Sequence, residues 1–192
     1  MSGFTIHTLD TAPQASRQIL QNVEKQLGFI PNLLATMAES PATLEAHQCL
    51  TTLFDKAAFT VTERQLVLLS ISRYRNCSYC LAAHGAVAKM QKIPTEIINA
   101  AYYNEPLADA KLQALRAFIR AALEADGWVD QVSLQAFYQA GYQKRHVLEV
   151  MLGISLNTLS NYVNHINDTP IDAKFLSGIP NNDNIAITGS SI

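Results

Sequence analysis

A single short segment, CSYCLAAH at residues 77–84, carries the residue types best suited to chemistry in this chain. Cys77, Cys80 and His84 stand at positions i, i+3 and i+7, which places them within about 60° of one another on one face of a helix. Cys80 and His84 form an i, i+4 pair, so the imidazole can take or return the thiol proton. The spacing predicts a redox pair of thiols with a histidine as its acid–base partner.

The expected position of this pair at the start of a helix supports the same chemistry. Asn76 interrupts the preceding apolar pattern, so Cys77 is expected in the first turn of a helix that runs to Lys89. Free N–H groups and the positive end of the helix dipole stabilise a thiolate there. A thiolate attacks disulfides or peroxides at neutral pH, and the second sulfur resolves the product. We assign Cys80 as the thiol in contact with His84 and Cys77 as its redox partner.

Two cofactor sites are alternatives for the same residues. A C-x-x-C pair forms half of many zinc sites, and Cys77, Cys80 and His84 would supply three of four ligands. The fourth ligand would come from a set of residues without characteristic spacing: His7, His47, His146, His165 or Cys49. A c-type haem needs a histidine directly after the second cysteine, where this chain has Leu81. We therefore favour redox chemistry that requires no metal and no other cofactor.

The elements that position these residues are all expected to be helices. Apolar residues recur at helical spacing almost throughout, and no convincing alternating strand is found. The pattern predicts one all-α domain without an internal linker. The expected helices comprise one that ends at Leu27 and others at 31–37, 41–54, 60–73, 77–89, 94–103, 109–125, 132–140 and 144–167.

Two local patterns refine this prediction. Thr60-Val61-Thr62-Glu63 matches a capping box, in which Thr60 caps a buried helix and Glu63 reaches back to it. The last long helix carries a second, polar stripe, which we interpret as solvated or facing another subunit: Asn157, Asn161, Asn164 and Asp168. After this helix periodicity is lost, and residues 181–192 are expected to form a mobile end or an arm onto a neighbour.

Composition excludes several classes of protein. The 192 residues are 48% hydrophobic and 16% charged, with a formal net charge of −2, and no clustered Lys and Arg mark a nucleic-acid surface. We find no signal peptide and no apolar run of about 18 residues. Three cysteines are too few for a disulfide-stapled secreted domain. We expect a cytoplasmic protein that binds neither nucleic acid nor membrane, and its low charge favours a homo-oligomer.

Three segments carry a resemblance to a known family. FTVTERQLV at 59–67, CSYCLAAH at 77–84 and LSNYVNH at 159–165 resemble the carboxymuconolactone decarboxylase-like superfamily, and most closely its alkylhydroperoxidase D (AhpD-like) branch. The resemblance covers residues 25–175, which leaves 1–24 as an N-terminal arm and first helix and 176–192 as a C-terminal tail. It implies an AhpD-like helical bundle that assembles as dimers, trimers or hexamers.

The resemblance also implies an activity. In the AhpD branch the residues matched by Cys77, Cys80 and His84 reduce hydroperoxides or recycle a partner protein's disulfide, with electrons from a thiol reductant whose identity the sequence does not give. The branch also places a glutamate twelve residues before the first cysteine, where it relays protons to the histidine. This chain has Gln65 there, which can orient His84 or hold a water but cannot act as a base. We therefore expect a relay without a carboxylate, and we expect Gln65→Glu to raise peroxide turnover.

Two other functions compete with this interpretation. The helical cavity would bind a small organic acid or lactone with His84 as acid–base catalyst, or the thiol pair would be a non-enzymatic redox sensor. Tyr79, Asn161 and His165 are candidates to line the site. Cys49 is expected to be a small buried residue, and Trp128, Tyr102 and Tyr103 are expected in the core or at an interface rather than in a cofactor cage.

Overall fold

The computed structural model describes residues 3–180, and this part of the chain folds into helices without a β-strand. The all-α prediction is confirmed, and most helix ends lie within one or two residues of the predicted ones. The helices are α1 (Gln14–Leu27), α2 (Asn32–Met37), α3 (Pro41–Phe54), α4 (Val61–Tyr74), α5 (Ser78–Met90), α6 (Thr95–Tyr103), α7 (Ala110–Glu124), α8 (Gln131–Gln139), α9 (Lys144–Asn167) and a final 3-10 helix (Ala173–Gly178). The expected mobile end or arm at residues 181–192 lies outside the described residues.

The predicted capping box fixes the start of the central helix α4. The Thr60 hydroxyl accepts from the backbone N–H of Glu63, and the Glu63 carboxylate accepts from the backbone N–H of Thr60 at 2.8 Å. The same carboxylate accepts from the Tyr142 hydroxyl at 2.9 Å and pairs with Lys111 at 2.9 Å. Glu63 is thus committed to holding α4 against its neighbours, which leaves it no role as a substitute for the missing relay carboxylate.

Helix α9 crosses α4 and α3 at a glycine. A Cβ atom on Gly153 would lie 2.7 Å from Cγ1 of Val67 and 2.9 Å from the ring of Phe54. Val67 and Phe54 are themselves almost completely buried, so neither side chain has room to move. The absence of a side chain at Gly153 lets α9 approach closely, and this approach carries the polar stripe of α9 toward the N-terminal end of α5.

Gly153→Ala is expected to destabilise the fold by about 1–2 kcal/mol, because overpacking a closed core outweighs the gain in helix propensity. Urea unfolding measures the change. Ser155→Ala is the matched control, since Ser155 is exposed on the same helix, and it should change the free energy of unfolding by no more than about 0.5 kcal/mol. Equal effects of the two substitutions would contradict the close approach at Gly153.

The prediction that Cys49 is buried is wrong. Cys49 is exposed, because it lies about 140° round α3 from the buried Leu44 and so faces away from the core. Trp128 follows α7 in a turn beside Gly127 and is 89% exposed, so it does not belong to the core of this chain, and its role at an interface stays a prediction. Tyr102 and Tyr103 are partly buried and meet edge to face at 5.1 Å, as a packing role requires.

Within residues 3–180, no helix combines the length and the apolar character needed to cross a membrane.

Candidate active site

The turn between α4 and α5 places Cys77 at the N-cap of α5. Asn76 takes the left-handed conformation, with φ of 55°, and the backbone N–H of Cys77 donates to the carbonyl of Ser72 at 3.0 Å. This arrangement ends α4 and turns the chain directly into α5, whose N-cap residue is Cys77. Cys77 therefore stands one position earlier than the predicted first turn, where free N–H groups still favour a thiolate.

Both thiols are free and almost completely buried, with 1% of Cys77 and 2% of Cys80 exposed. A hydrogen bond from the Cys80 thiol and the backbone N–H of Cys80 lower the pKa of Cys77 to about 6, against the opposing effect of burial. The same bond and burial raise the pKa of Cys80. The pair therefore carries one negative charge, which rests on Cys77.

Only the second cysteine lies at the cavity beside the pair. This cavity has a volume of about 170 Å³, and Cys80 and His84 line it whereas Cys77 does not. The structure thus brings together the two residues predicted to exchange a proton and places Cys77 behind them. Most of the remaining wall is apolar or aromatic: Leu33, Leu34, Phe54, Leu68, Leu156 and Phe175.

His84 meets this cavity as a neutral imidazole. Burial lowers its pKa to about 4, an effect that Asn157 opposes and the nearby His47 reinforces. At neutral pH the ring is therefore uncharged, so it can accept a proton but is a weak base. The groups that lower the pKa of Cys77 are, in order, Cys80, His165 and Asn161.

A second histidine lines the same cavity and was missed as a site residue, since the sequence offered it only as one of several zinc ligands. His47 on α3 shares a hydrogen bond of 3.0 Å with the hydroxyl of Ser160 on α9. Burial lowers its pKa to about 4, so it too is neutral. Its position in the site could have been predicted from its spacing from Leu44 and Phe54, which places His47 on the inward face of α3.

The polar stripe of α9 is buried within the chain at Asn157, Asn161 and Asn164, so its interpretation as a solvated or subunit-facing surface is wrong there, whereas Asp168 is exposed. Asn157, Asn161 and Asn164 are all less than 5% exposed. Nδ2 of Asn164 lies 3.2 Å from Sγ of Cys80 and 3.9 Å from Sγ of Cys77. Asn161 donates to Oδ1 of Asn157 at 3.5 Å. His165, the other candidate on this helix, is exposed but contributes to the acidity of Cys77 through its charge.

Tyr79 both lines the cavity and holds the chain that covers it. Its hydroxyl donates to the Asp172 carboxylate at 2.6 Å and accepts from the backbone N–H of Leu33 at 3.2 Å. Its ring meets Phe175 edge to face, with centroids 5.9 Å apart. Burial and the Asp172 bond raise the pKa of Tyr79. Tyr79 therefore ties the final 3-10 helix to α5 beside Cys80.

Gln65 lies outside the cavity wall. The residue is 8% exposed, and its buried Oε1 has no hydrogen-bond partner among residues 3–180. It stands one turn before Leu68, which does line the cavity, on the same face of α4.

The ligand set of the zinc alternative does not converge in the part of the chain that the structure describes. No group of three or more His, Cys, Asp and Glu side chains there is placed to hold a metal ion. Two of the proposed fourth ligands have other partners: His7 pairs with Glu39 at 2.8 Å, and His146 accepts from the backbone N–H of Gln143.

The family comparison agrees with the resemblance drawn from the motifs. The model of the carboxymuconolactone decarboxylase family matches residues 46–124, which include both cysteines and the histidine. Residues 46–124 are therefore similar to the carboxymuconolactone decarboxylase family, in agreement with the resemblance predicted from the sequence. No curated protein sequence matches the chain significantly.

Solved structures show that the chain has the AhpD-type fold over about nine-tenths of its length. The AhpD core of a peroxidase-related protein from Ralstonia eutropha JMP134 has a TM-score of 0.81 and 22% identity, over 93% of this chain and 97% of that one. A peroxidase-related protein from Silicibacter sp. TM1040 has a TM-score of 0.78 and 17% identity, over 91% and 92%. The debrominase Bmp8 has a TM-score of 0.73 and 20% identity, over 91% and 97%.

Proposed function

We propose that this protein is a thiol-dependent oxidoreductase of the alkylhydroperoxidase type, which uses Cys77 and Cys80 as its redox pair and His84 as its proton carrier. One observation carries the proposal. Two free, buried thiols lie at the start of α5, where the pKa of Cys77 is lowered, and Cys80 faces a cavity that the His84 imidazole also lines. A structural pair of cysteines would need neither the lowered pKa nor the cavity.

In the proposed cycle the Cys80 thiolate attacks the terminal oxygen of a hydroperoxide, and the O–O bond breaks. The sulfur keeps the OH group as a sulfenic acid, and the alkoxide leaves as an alcohol with a proton passed in through His84. The Cys77 sulfur then attacks the Cys80 sulfur, so that a disulfide forms and water leaves. An external thiol reductant returns two electrons and two protons to the disulfide. A partner protein's disulfide is the alternative substrate for the same pair.

The test is a titration of the wild-type protein in redox buffers, followed by alkylation and mass measurement. We expect a reversible two-electron couple between Cys77 and Cys80, together with repeated consumption of an organic hydroperoxide when a dithiol reductant is present. A pair that never forms a reversible disulfide would overturn the proposal. A pair that oxidises once per chain and then stops would instead support the redox sensor, and hydrolysis of a lactone without thiol oxidation would support the organic-acid enzyme.

Gln65→Glu tests the relay part of this proposal. A carboxylate at this position would supply the base that the chain lacks, because Gln65 lies one turn from the cavity wall on α4. We expect peroxide turnover to rise severalfold, measured as hydroperoxide consumed per minute with a dithiol in excess. An unchanged rate would mean that this position is not the missing element.

Reductive removal of a halogen is a second candidate function. The debrominase Bmp8 has this fold, and a cysteine-to-alanine variant of it was solved with 2,3,4-tribromopyrrole. In the present chain the specific observation is the apolar cavity of about 170 Å³, since a cavity of about 150 Å³ holds benzene. Replacing an aryl halogen by hydrogen takes two electrons, which the dithiol supplies as it becomes a disulfide, and halide leaves. Halide release from a brominated pyrrole distinguishes this function from peroxide reduction.

We also propose that the chain forms a homo-oligomer through α9. Leu148, Tyr162 and Ile166 share one face of this helix and are 70%, 50% and 65% exposed. An exposed apolar stripe of this kind is typical of a surface that another subunit covers. Leu148→Lys should therefore lower the mass measured by light scattering, whereas an unchanged mass would exclude this face from the interface.

A further inference from the structure

The side-chain amide of Asn164 lies between the two sulfurs of the thiol pair. Its Nδ2 is 3.2 Å from Sγ of Cys80 and 3.9 Å from Sγ of Cys77, and all three side chains are less than 5% exposed. Asn164 lies on α9, far along the chain from the C-x-x-C motif. Because the shorter contact is to Cys80, this hydrogen bond becomes strongest when the negative charge lies on the Cys80 sulfur.

The sulfur that carries the negative charge is not the sulfur that faces the cavity. The negative charge is stabilised on Cys77 at the N-cap, yet Cys77 does not reach the cavity. Cys80 reaches the cavity but holds a proton that it donates to Cys77. Attack on a substrate in the cavity therefore requires the charge to move from one sulfur to the other.

We propose that Asn164 is a catalytic residue whose amide donates to both sulfurs and keeps the negative charge stabilised while a proton passes from the Cys80 thiol to the Cys77 sulfur. This inference rests on the proposed function. The Cys77 thiolate becomes a thiol, the Cys80 thiol becomes a thiolate, and no proton is gained or lost. The thiolate of Cys80 is then at the cavity and already hydrogen-bonded at the shorter distance of 3.2 Å.

The side-chain oxygens in the polar stripe of α9 indicate that Asn164 does more than link two helices. Within residues 3–180, Oδ1 of Asn164 and Oδ1 of Asn161 are buried without a hydrogen-bond partner. Leaving a buried acceptor unpaired is unfavourable. A side-chain amide that only linked α9 to α5 would therefore be expected to form hydrogen bonds with both its NH₂ group and its oxygen. The nearby Asn157 does so: it donates to the carbonyl of Leu68 and to Ser72, and accepts from Asn161.

The experiment is a pH titration of the thiolate absorbance in the reduced full-length protein, with Asn164→Leu and Asn164→Asp beside the wild type. We expect the midpoint to rise by about one unit in the leucine variant, which lacks the donor, and further in the aspartate variant, which places a like charge beside the sulfurs. The dithiol–disulfide equilibrium of the leucine variant should move about tenfold toward the disulfide. The aspartate variant has nearly the same shape as the wild type, so it keeps the test valid if the leucine variant does not fold.

Asn167→Ala is the matched control, because Asn167 lies less than one turn further along α9 and bonds to Thr36 instead of the sulfurs. Its midpoint should stay at the wild-type value. Folded Asn164 variants that keep the wild-type midpoint would overturn this inference and leave the proposed function standing. A wild-type protein without a reversible Cys77–Cys80 couple would overturn the proposed function itself, whatever the midpoints.

Discussion

Cys80→Ser is expected to lower hydroperoxide-dependent turnover by about a thousandfold or more, because it removes the only sulfur that lines the cavity among residues 3–180. A serine hydroxyl beside a neutral imidazole remains protonated and cannot take up the oxygen of a peroxide as a sulfenic acid. The assay measures the hydroperoxide consumed per chain with a dithiol reductant in excess. Full turnover by this variant would show that Cys77 attacks despite its position behind the cavity.

Cys77→Ser gives the result that separates attack from resolution. We expect this variant to consume about one equivalent of hydroperoxide and to accumulate a sulfenic acid at Cys80, which a sulfenic-acid trap and mass measurement detect. Its first turnover should also be slowed, because the sulfur that accepts the Cys80 proton is gone. Cys49→Ser is the control for both variants, since Cys49 is exposed on α3 and should leave turnover unchanged.

Local signals in the sequence were sufficient to predict most of the fold. The capping box at Thr60 and the break at Asn76 depend only on neighbouring residues, and both lie where the pattern placed them. The same locality explains why Cys77, Cys80 and His84 could be placed on one helix face. Which cysteine attacks first depends on which thiol faces the cavity. That orientation depends on the packing of α3 and α9 around α5, which the local sequence does not show.

The residues that the sequence did not reveal come from these packed helices. Periodicity shows that Asn157, Asn161 and Asn164 share a face, but it does not show what that face meets. Amide side chains are usually solvated, and here the missing side chain of Gly153 lets α9 approach until the amides pair with α4 and with the sulfurs. His47 likewise lies at the site because of helix packing. Its hydrogen bond to Ser160 joins residues more than a hundred positions apart in the chain.

Loss of the His84 imidazole is expected to slow turnover about a hundredfold without moving the pKa of the thiol pair. The sequence spacing predicted that His84 takes the proton of Cys80 or returns it. In the structure the low pKa of Cys77 arises from Cys80, His165 and Asn161, and His84 itself has a pKa of about 4. Its role is then to carry a proton to the leaving oxygen, which affects the rate of the step and not the amount of thiolate.

The dependence of the rate on pH distinguishes these two roles. Turnover of the wild type should rise with pH through about 6, as the pair loses its proton, and reach a plateau above about 7. Protonation of His84 adds no second limb in this range, because its pKa of about 4 lies below it. His84→Ala should lower the plateau and keep the midpoint, whereas Asn164→Leu should move the midpoint upward. A midpoint that rises by about one pH unit in His84→Ala would show that His84 lowers the pKa of the thiol pair. The contribution of the Asn164 amide to that pKa would then be the smaller of the two.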